Sequence, residues 1–320
     1  MKERQHTIGI DLGGTKVAGV LIDRSGHIVA RERTSSLPER GADAVAETVA
    51  LMVRALAAAA PSAVAGVGIG VAGQVDSANG TVQNAPNLRW HDYPLGDVVH
   101  DATGHRVAVL NDVQAATYGE WTYGAARGAT EAICMFIGTG VGGGIISNGQ
   151  LFRGKSGAAG ELGHTVVSLH GPGCRCGGRG CLEAYAGGWA IARRSFDAVV
   201  ARPLAGRALI DAAGGDASAI TATALAKAMK AGDPLARTLV REIEDALVAG
   251  LGSITNALNP EVIILGGGVI EALPQLLEEC RQRLSLQALP VSAAAVRVER
   301  AALAGDAGAI GAAAWARTAH

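Results

Sequence analysis

Short apolar runs separated by glycine turns open the chain. Residues 7–10 end at Asp11, residues 17–22 follow Gly13, Gly14, Thr15 and Lys16, and residues 27–33 follow the turn Asp23-Arg-Ser-Gly26. Runs of this length bounded by turn residues predict strands. The period then lengthens: residues 42–60 read as an alanine-rich helix stopped by Pro61. Strands are expected at 65–71 and 107–110, the second delivering Asn111 and Asp112 ahead of a helix over 113–120. Between them, residues 84–90, with Asn84, Pro86 and Trp90, read as a polar loop.

The strand–glycine–strand pattern returns at 132–137, Gly138-Thr-Gly-Val-Gly-Gly-Gly144 and Ile145-Ile146, with Asn148-Gly149 as a hairpin turn. Residues 233–258 predict a long helix, expected to break or restart near 250–252, with Asn259-Pro260 ending it. A strand at 262–265 leads through Gly266-Gly-Gly-Val269 into another helix. Gly305-Asp-Ala-Gly308 precedes a final small-residue helix over 309–317. Two glycine hairpins, one per half of the chain, predict an internal duplication holding a polyphosphate between the halves.

The hairpin at Asp11 is a phosphate-loop candidate, since glycines let backbone N–H groups approach an anion and Thr15 can donate a hydroxyl. Asp11 could position magnesium through water. A plain hairpin explains the residues equally well, and the Walker spacing is missing. Gly138, Gly140 and Gly143 satisfy G-x-G-x-x-G, but a hairpin follows where a dinucleotide site needs a helix. Gly266 to Gly268 could accept a nucleobase face or simply start a helix. Asp112 stands where α/β folds put their chemistry, at the carboxyl end of a strand, or caps the helix behind it.

The strongest chemical signal is the segment 161–183. His164, Cys174, Cys176 and Cys181 form a complete set of four tetrahedral zinc ligands. Five cysteines in all, and no secretory leader, argue against a disulfide. With every position taken by protein, the ion is expected to be structural. It would fix Glu161 and Glu183, and the second ring nitrogen of His164, in one neighbourhood suited to a ligand rich in hydroxyls.

Composition narrows the classes. The 320 residues are 49% hydrophobic, enough for a large core, with 28 basic and 29 acidic residues and no basic run for nucleic acid or a membrane surface. No apolar stretch follows the opening residues and none reaches a membrane span, so the expected address is cytosolic. Glycine, at 45 residues, is about twice its average usage and gathers in the loops.

Taken together, the Asp11–Lys16 turn, Asn111-Asp112, the 138–144 loop, Glu161-Leu-Gly-His164, the 174–183 cysteine segment and Gly266-Gly-Gly-Val269 resemble the ROK family of sugar kinases and repressors. The resemblance spans nearly the whole chain and is most specific in the cysteine segment. It implies an α/β protein of the actin-like ATPase (ribonuclease-H-like) fold, with two lobes and the active site in the cleft between them. The lobes would be 1–112, joined by a returning helix at 305–320, and 113–304.

It also implies ATP-dependent phosphorylation of a hexose at its terminal hydroxyl, using ATP with magnesium and a structural zinc. Asp112 matches the catalytic base. Gly73, Asn84, Asn111, Glu161, His164 and Glu183 match sugar contacts. Asp11, Gly13, Gly14, Thr15, Lys16, Gly138, Thr139, Gly140, Gly267 and Gly268 match the nucleotide loops. The pattern is most similar to members acting on glucose, with N-acetylmannosamine as the alternative and a sugar-sensing regulator without activity as a different class. A repressor's helix-turn-helix would not fit in the ten residues ahead of Asp11. The family further implies a homodimer, and the balanced charge without a basic run implies no nucleic-acid or membrane partner.

Overall fold

The computed structural model describes residues 6–318. Its strands are β1 (His6–Leu12), β2 (Lys16–Ile22), β3 (Ile28–Ser35), β4 (Val64–Val71), β5 (Gln74–Asp76), β6 (Thr81–Ala85), β7 (Trp90–Tyr93) and β8 (Val107–Asn111) in the first part of the chain. β9 (Ala132–Ile137), β10 (Val141–Ser147), β11 (Gln150–Phe152), β12 (Val262–Gly266) and β13 (Arg297–Arg300) follow. They form two five-stranded sheets of matching order, β3-β2-β1-β4-β8 and β11-β10-β9-β12-β13, and a three-stranded sheet β5-β6-β7. In the first large sheet the hairpin strands β1 to β3 pair antiparallel, and β4 and β8 join in parallel. The repetition of one strand order agrees with the duplication read from the two glycine hairpins.

Packing divides the chain into two compact units, one of residues 1–132, 144–160 and 301–320, the other of 133–143 and 161–300. The helix Asp112–Tyr123, which the sequence placed beyond a boundary at 112, packs within the first unit against the C-terminal helix Ala307–Trp315.

Strand periodicity explains the glycine usage of that unit. In β1, Ile8, Ile10 and Leu12 point to one face and Thr7, Gly9 and Asp11 to the other. The isoleucine face meets the helix Ala42–Ala58, whose Val45, Val49, Met52, Val53 and Leu56 are buried at helical spacing. The opposite face takes the helix Ala307–Trp315 at backbone contact. A Cβ on Gly9 would lie 1.8 Å from the Ala309 carbonyl oxygen, and one on Gly68 of β4 1.8 Å from that of Ala312. Of residues 84–90, expected as loop, 86–89 form the turn between β6 and β7, and the ends belong to those strands. Val82, Ala85, Leu88 and Trp90 are buried there, and apolar anchors at this density fold a polar-looking stretch onto the core.

The second unit contains a helix, Pro234–Leu258, that is continuous where a break near 250–252 was expected. Gly250 and Gly252 are close-packing positions: an added Cβ would meet Leu182 at 3.0 Å and Gln287 at 2.4 Å. No helix of the described residues is long and apolar enough to cross a membrane.

Candidate active site

In the first unit, Asp11 follows from the strand period. It lies on the face of β1 that receives the helix Ala307–Trp315, and a Cβ at Gly308 would stand 3.1 Å from its carboxyl carbon. Burial holds its carboxyl above the ordinary carboxylate range, an effect that the Lys16 ammonium partly offsets. Gly13 donates its N–H to the Lys16 carbonyl at 3.0 Å and closes the turn, while Gly14 packs on Asn87 of the 84–90 segment. Thr15 and Lys16 are exposed at the tip.

At the carboxyl end of β8 the structure resolves which residue caps the following helix. Asn111 is the N-cap, its Oδ1 accepting from Val113 N at 3.0 Å and Gln114 N at 3.1 Å. Its Nδ2 donates to the Gly73 carbonyl at 3.0 Å. Gly73 is in turn pressed against β6, where a Cβ would meet the Asn84 carbonyl oxygen at 2.6 Å. Asp112 is the first helical residue, with Oδ1 accepting from Val113 N at 2.9 Å. Four predicted residues of this unit, Gly73, Asn84, Asn111 and Asp112, are thus joined by direct contacts or adjacency.

In the second unit the Cys/His segment closes as its spacing implies. One ligand atom each from His164, Cys174, Cys176 and Cys181 lie within 4.8 Å of one another. Cys176 and Cys181 Sγ are 3.7 Å apart, and Cys174 Sγ is 3.7 Å from His164 Nδ1. A tetrahedral ion about 2.3 Å from each sulfur requires sulfur–sulfur distances near about 3.8 Å, so the donor set fits zinc. None of the five cysteines forms a disulfide. Desolvation and the adjacent sulfurs push the Cys181 thiol up to about 12, whereas the Gly178 backbone N–H lowers that of Cys176. Gly180 is required by both its φ of +70° and the Ser168 carbonyl, 1.7 Å from where a Cβ would stand.

With Nδ1 turned to the cysteines, His164 Nε2 faces the Glu161 carboxylate at 4.0 Å. Glu183 turns towards the glycine hairpin. Its Oε2 accepts from Val141 N at 2.9 Å, and its Oε1 accepts from Trp189 Nε1 at 3.0 Å. From the other side of the same residue, a Cβ on Gly163 would strike the Val141 carbonyl oxygen at 2.1 Å. The Glu161–His164 turn and Glu183 therefore both close on Val141, the residue that follows Gly138, Thr139 and Gly140.

The third glycine loop joins the same cluster. Gly267, at φ +92°, backs onto Ile137, whose carbonyl oxygen would be 2.5 Å from a Cβ. Gly188 N donates to the Gly138 carbonyl at 2.9 Å and Trp189 N to that of Thr139 at 3.0 Å. Sequence reasoning missed Gly163, Gly188 and Trp189. The signal available for Trp189 was a rare tryptophan, one of four in the chain, set in Gly-Gly-Trp six residues after Glu183.

Two sheets of one order, each with a glycine turn after its first strand, define a mixed α/β protein of the actin-like ATPase fold. The chain belongs to the ROK family, whose family model matches residues 7–319. It is 35% identical over 278 residues to a glucokinase of Streptomyces coelicolor, covering 86% of each chain, and 34% identical over 313 residues to a glucokinase of Thermotoga maritima, covering 96% of this chain and 95% of that one. The crystal structure of a ROK family glucokinase from Streptomyces griseus in complex with glucose and AMPPNP superposes with a TM-score of 0.82 at 35% identity, covering 98% of this chain and 100% of that one.

Proposed function

We propose that the protein is an ATP-dependent hexose kinase that converts glucose to glucose 6-phosphate. The observation that carries this reading is the convergence on Val141 of the Glu161–His164 turn, Glu183 and the glycine hairpin. Groups suited to sugar hydroxyls and a backbone turn suited to phosphate share one residue. Similarity to a glucokinase crystallised with glucose and AMPPNP supports the same two substrates here.

In this reading Glu161, His164, Glu183, Asn84, Asn111 and Gly73 hold the sugar hydroxyls. Asp112 accepts the proton of the terminal hydroxyl as its oxygen attacks the γ-phosphorus. The bond from that phosphorus to the β–γ bridging oxygen breaks, and ADP leaves. Phosphoryl transfer of this kind is mostly positioning and charge neutralisation. Backbone N–H groups of the 138–140 and 13–16 turns serve the phosphates, and Gly267 with Gly268 the adenosine. Magnesium would neutralise phosphate charge; Asp11, whose carboxyl is held above the ordinary range by burial and would be brought back down by a nearby cation, is the group to position it.

His164, Cys174, Cys176 and Cys181 would hold zinc, which supplies fixed geometry to the neighbouring carboxylates and takes no part in bond making. We take the enzyme to be a cytoplasmic homodimer without nucleic-acid or membrane partners; light scattering tests its oligomeric state. Coupled measurement of ADP formation with glucose, N-acetylmannosamine, mannose and fructose tests the substrate. Glucose should give the highest kcat/KM. A higher value with N-acetylmannosamine would move the assignment to that sugar, and no sugar-dependent ADP formation would leave a sugar-sensing regulator.

A further inference from the structure

We propose that Trp189 is a positioning residue that fixes the Glu183 carboxylate and, with Arg175, ties the cysteine loop to the glycine hairpin. The inference rests on the reading that Glu183 contacts the sugar. Trp189 lies in the first turn of the helix Gly188–Ala201 and is fastened to the hairpin through its backbone, N–H to the Thr139 carbonyl at 3.0 Å. Its indole N–H donates to Glu183 Oε1 at 3.0 Å. Val141 N holds Oε2 at 2.9 Å, so the two donors together set the plane of the carboxylate. An ionised carboxylate offers about four acceptor positions, and two remain for sugar hydroxyls.

The face of the indole has its own partner. The Arg175 guanidinium carbon lies 4.6 Å from the ring centroid, within the range of a cation–π contact. Arg175 stands between two of the metal-ligand candidates, Cys174 and Cys176, and its side chain is exposed. Cys174 Sγ also lies 4.0 Å from Glu183 Oε1. A continuous set of contacts therefore runs from the cysteine loop through Arg175, Trp189 and Glu183 to the Val141 backbone. Displacing the cysteine loop would release the indole, and releasing the indole would free the carboxylate to rotate away from both sugar and hairpin.

The experiment is steady-state kinetics on Trp189→Phe, which removes the indole N–H and keeps a ring under Arg175. Losing one hydrogen bond to an ionised group is expected to raise the sugar KM about tenfold. The ATP KM should rise by about threefold, with kcat within about twofold and metal content unchanged. In a Glu183→Gln background the same change should have almost no further effect, because coupled residues are not additive. A general packing defect would persist in that background.

Unchanged KM values for Trp189→Phe, or a full tenfold effect retained beside Glu183→Gln, overturn the positioning role. Glu183→Gln alone examines the reading beneath it: an unchanged sugar KM there removes Glu183 from the sugar site, whatever Trp189 does. Should Trp189→Phe not fold, the exposed Arg175→Met decides. It should raise the sugar KM about threefold, and an unchanged value overturns the link to the cysteine loop.

Discussion

Replacing Asp112 by asparagine separates chemistry from architecture at the residue assigned as base. Asparagine keeps an Oδ1 for the Val113 N–H, and the helix keeps its true cap, since Asn111 rather than Asp112 accepts from Val113 and Gln114. One structural loss is the attraction between a carboxylate and a helix N-terminus, about 0.3–1 kcal/mol. That contribution alone lowers Tm by no more than about 4 °C. A general base contributes about 10²–10⁴ in rate, equivalent to about 2.7–5.4 kcal/mol at the barrier. The catalytic effect thus exceeds the structural one several-fold.

Coupled ADP measurement at saturating glucose and ATP should show kcat reduced by that factor. Calorimetric titration with glucose should give a Kd within about threefold of the unsubstituted protein. A kcat within threefold of normal would remove Asp112 as the base. A rate loss matched by an equal loss of glucose affinity would make it a binding residue instead.

Asn111→Asp keeps the cap acceptor but sets a carboxylate oxygen against the Gly73 carbonyl, at a cost of about 1–3 kcal/mol. Sugar KM should rise at least several-fold, and an unchanged KM would separate Asn111 and Gly73 from the sugar. Gly68→Ala drives a methyl into the Ala312 backbone and should cost about 3 kcal/mol or more in urea denaturation; an unaltered midpoint would contradict the packing of the final helix on the first sheet.

Asp11→Asn should abolish most turnover yet raise Tm at neutral pH. Because burial raises the Asp11 pKa in the fold, its stabilising share is complete below the ordinary carboxylate range and is lost as pH rises through the raised value. The gain should therefore shrink towards acid pH, and a lower Tm at pH 7 would refute this.

The site was legible in the sequence to the degree that its chemistry is local. Cys174, Cys176 and Cys181 fall within eight residues, so spacing alone anticipated their cluster with His164. Short apolar runs likewise predicted the strands at 7–10 and 65–71, which carry Gly9 and Gly68. The purpose of those glycines was not legible, because the helix that rests on both begins only at Ala307, far along the chain. The expected break near 250–252 failed for a related reason: glycine lowers helix propensity, but Gly250 and Gly252 serve packing against Leu182 and Gln287. By sequence position Asp112 could equally have capped the helix; Asn111 does so instead, because its Oδ1 reaches both Val113 N and Gln114 N, a geometry that adjacency does not reveal. Trp189 was passed over although its Gly-Gly-Trp setting marked it, because its N–H contact with Glu183 shows only in the fold.

The most direct test of the central claim, that a metal held by His164 and three cysteines braces the sugar-binding carboxylates, is the glucose Kd before and after metal removal. Purified protein should carry one zinc per chain. Stripping it with a chelator should weaken glucose binding at least tenfold, and restoring zinc should recover it. An undiminished glucose affinity in the metal-free protein would contradict the account.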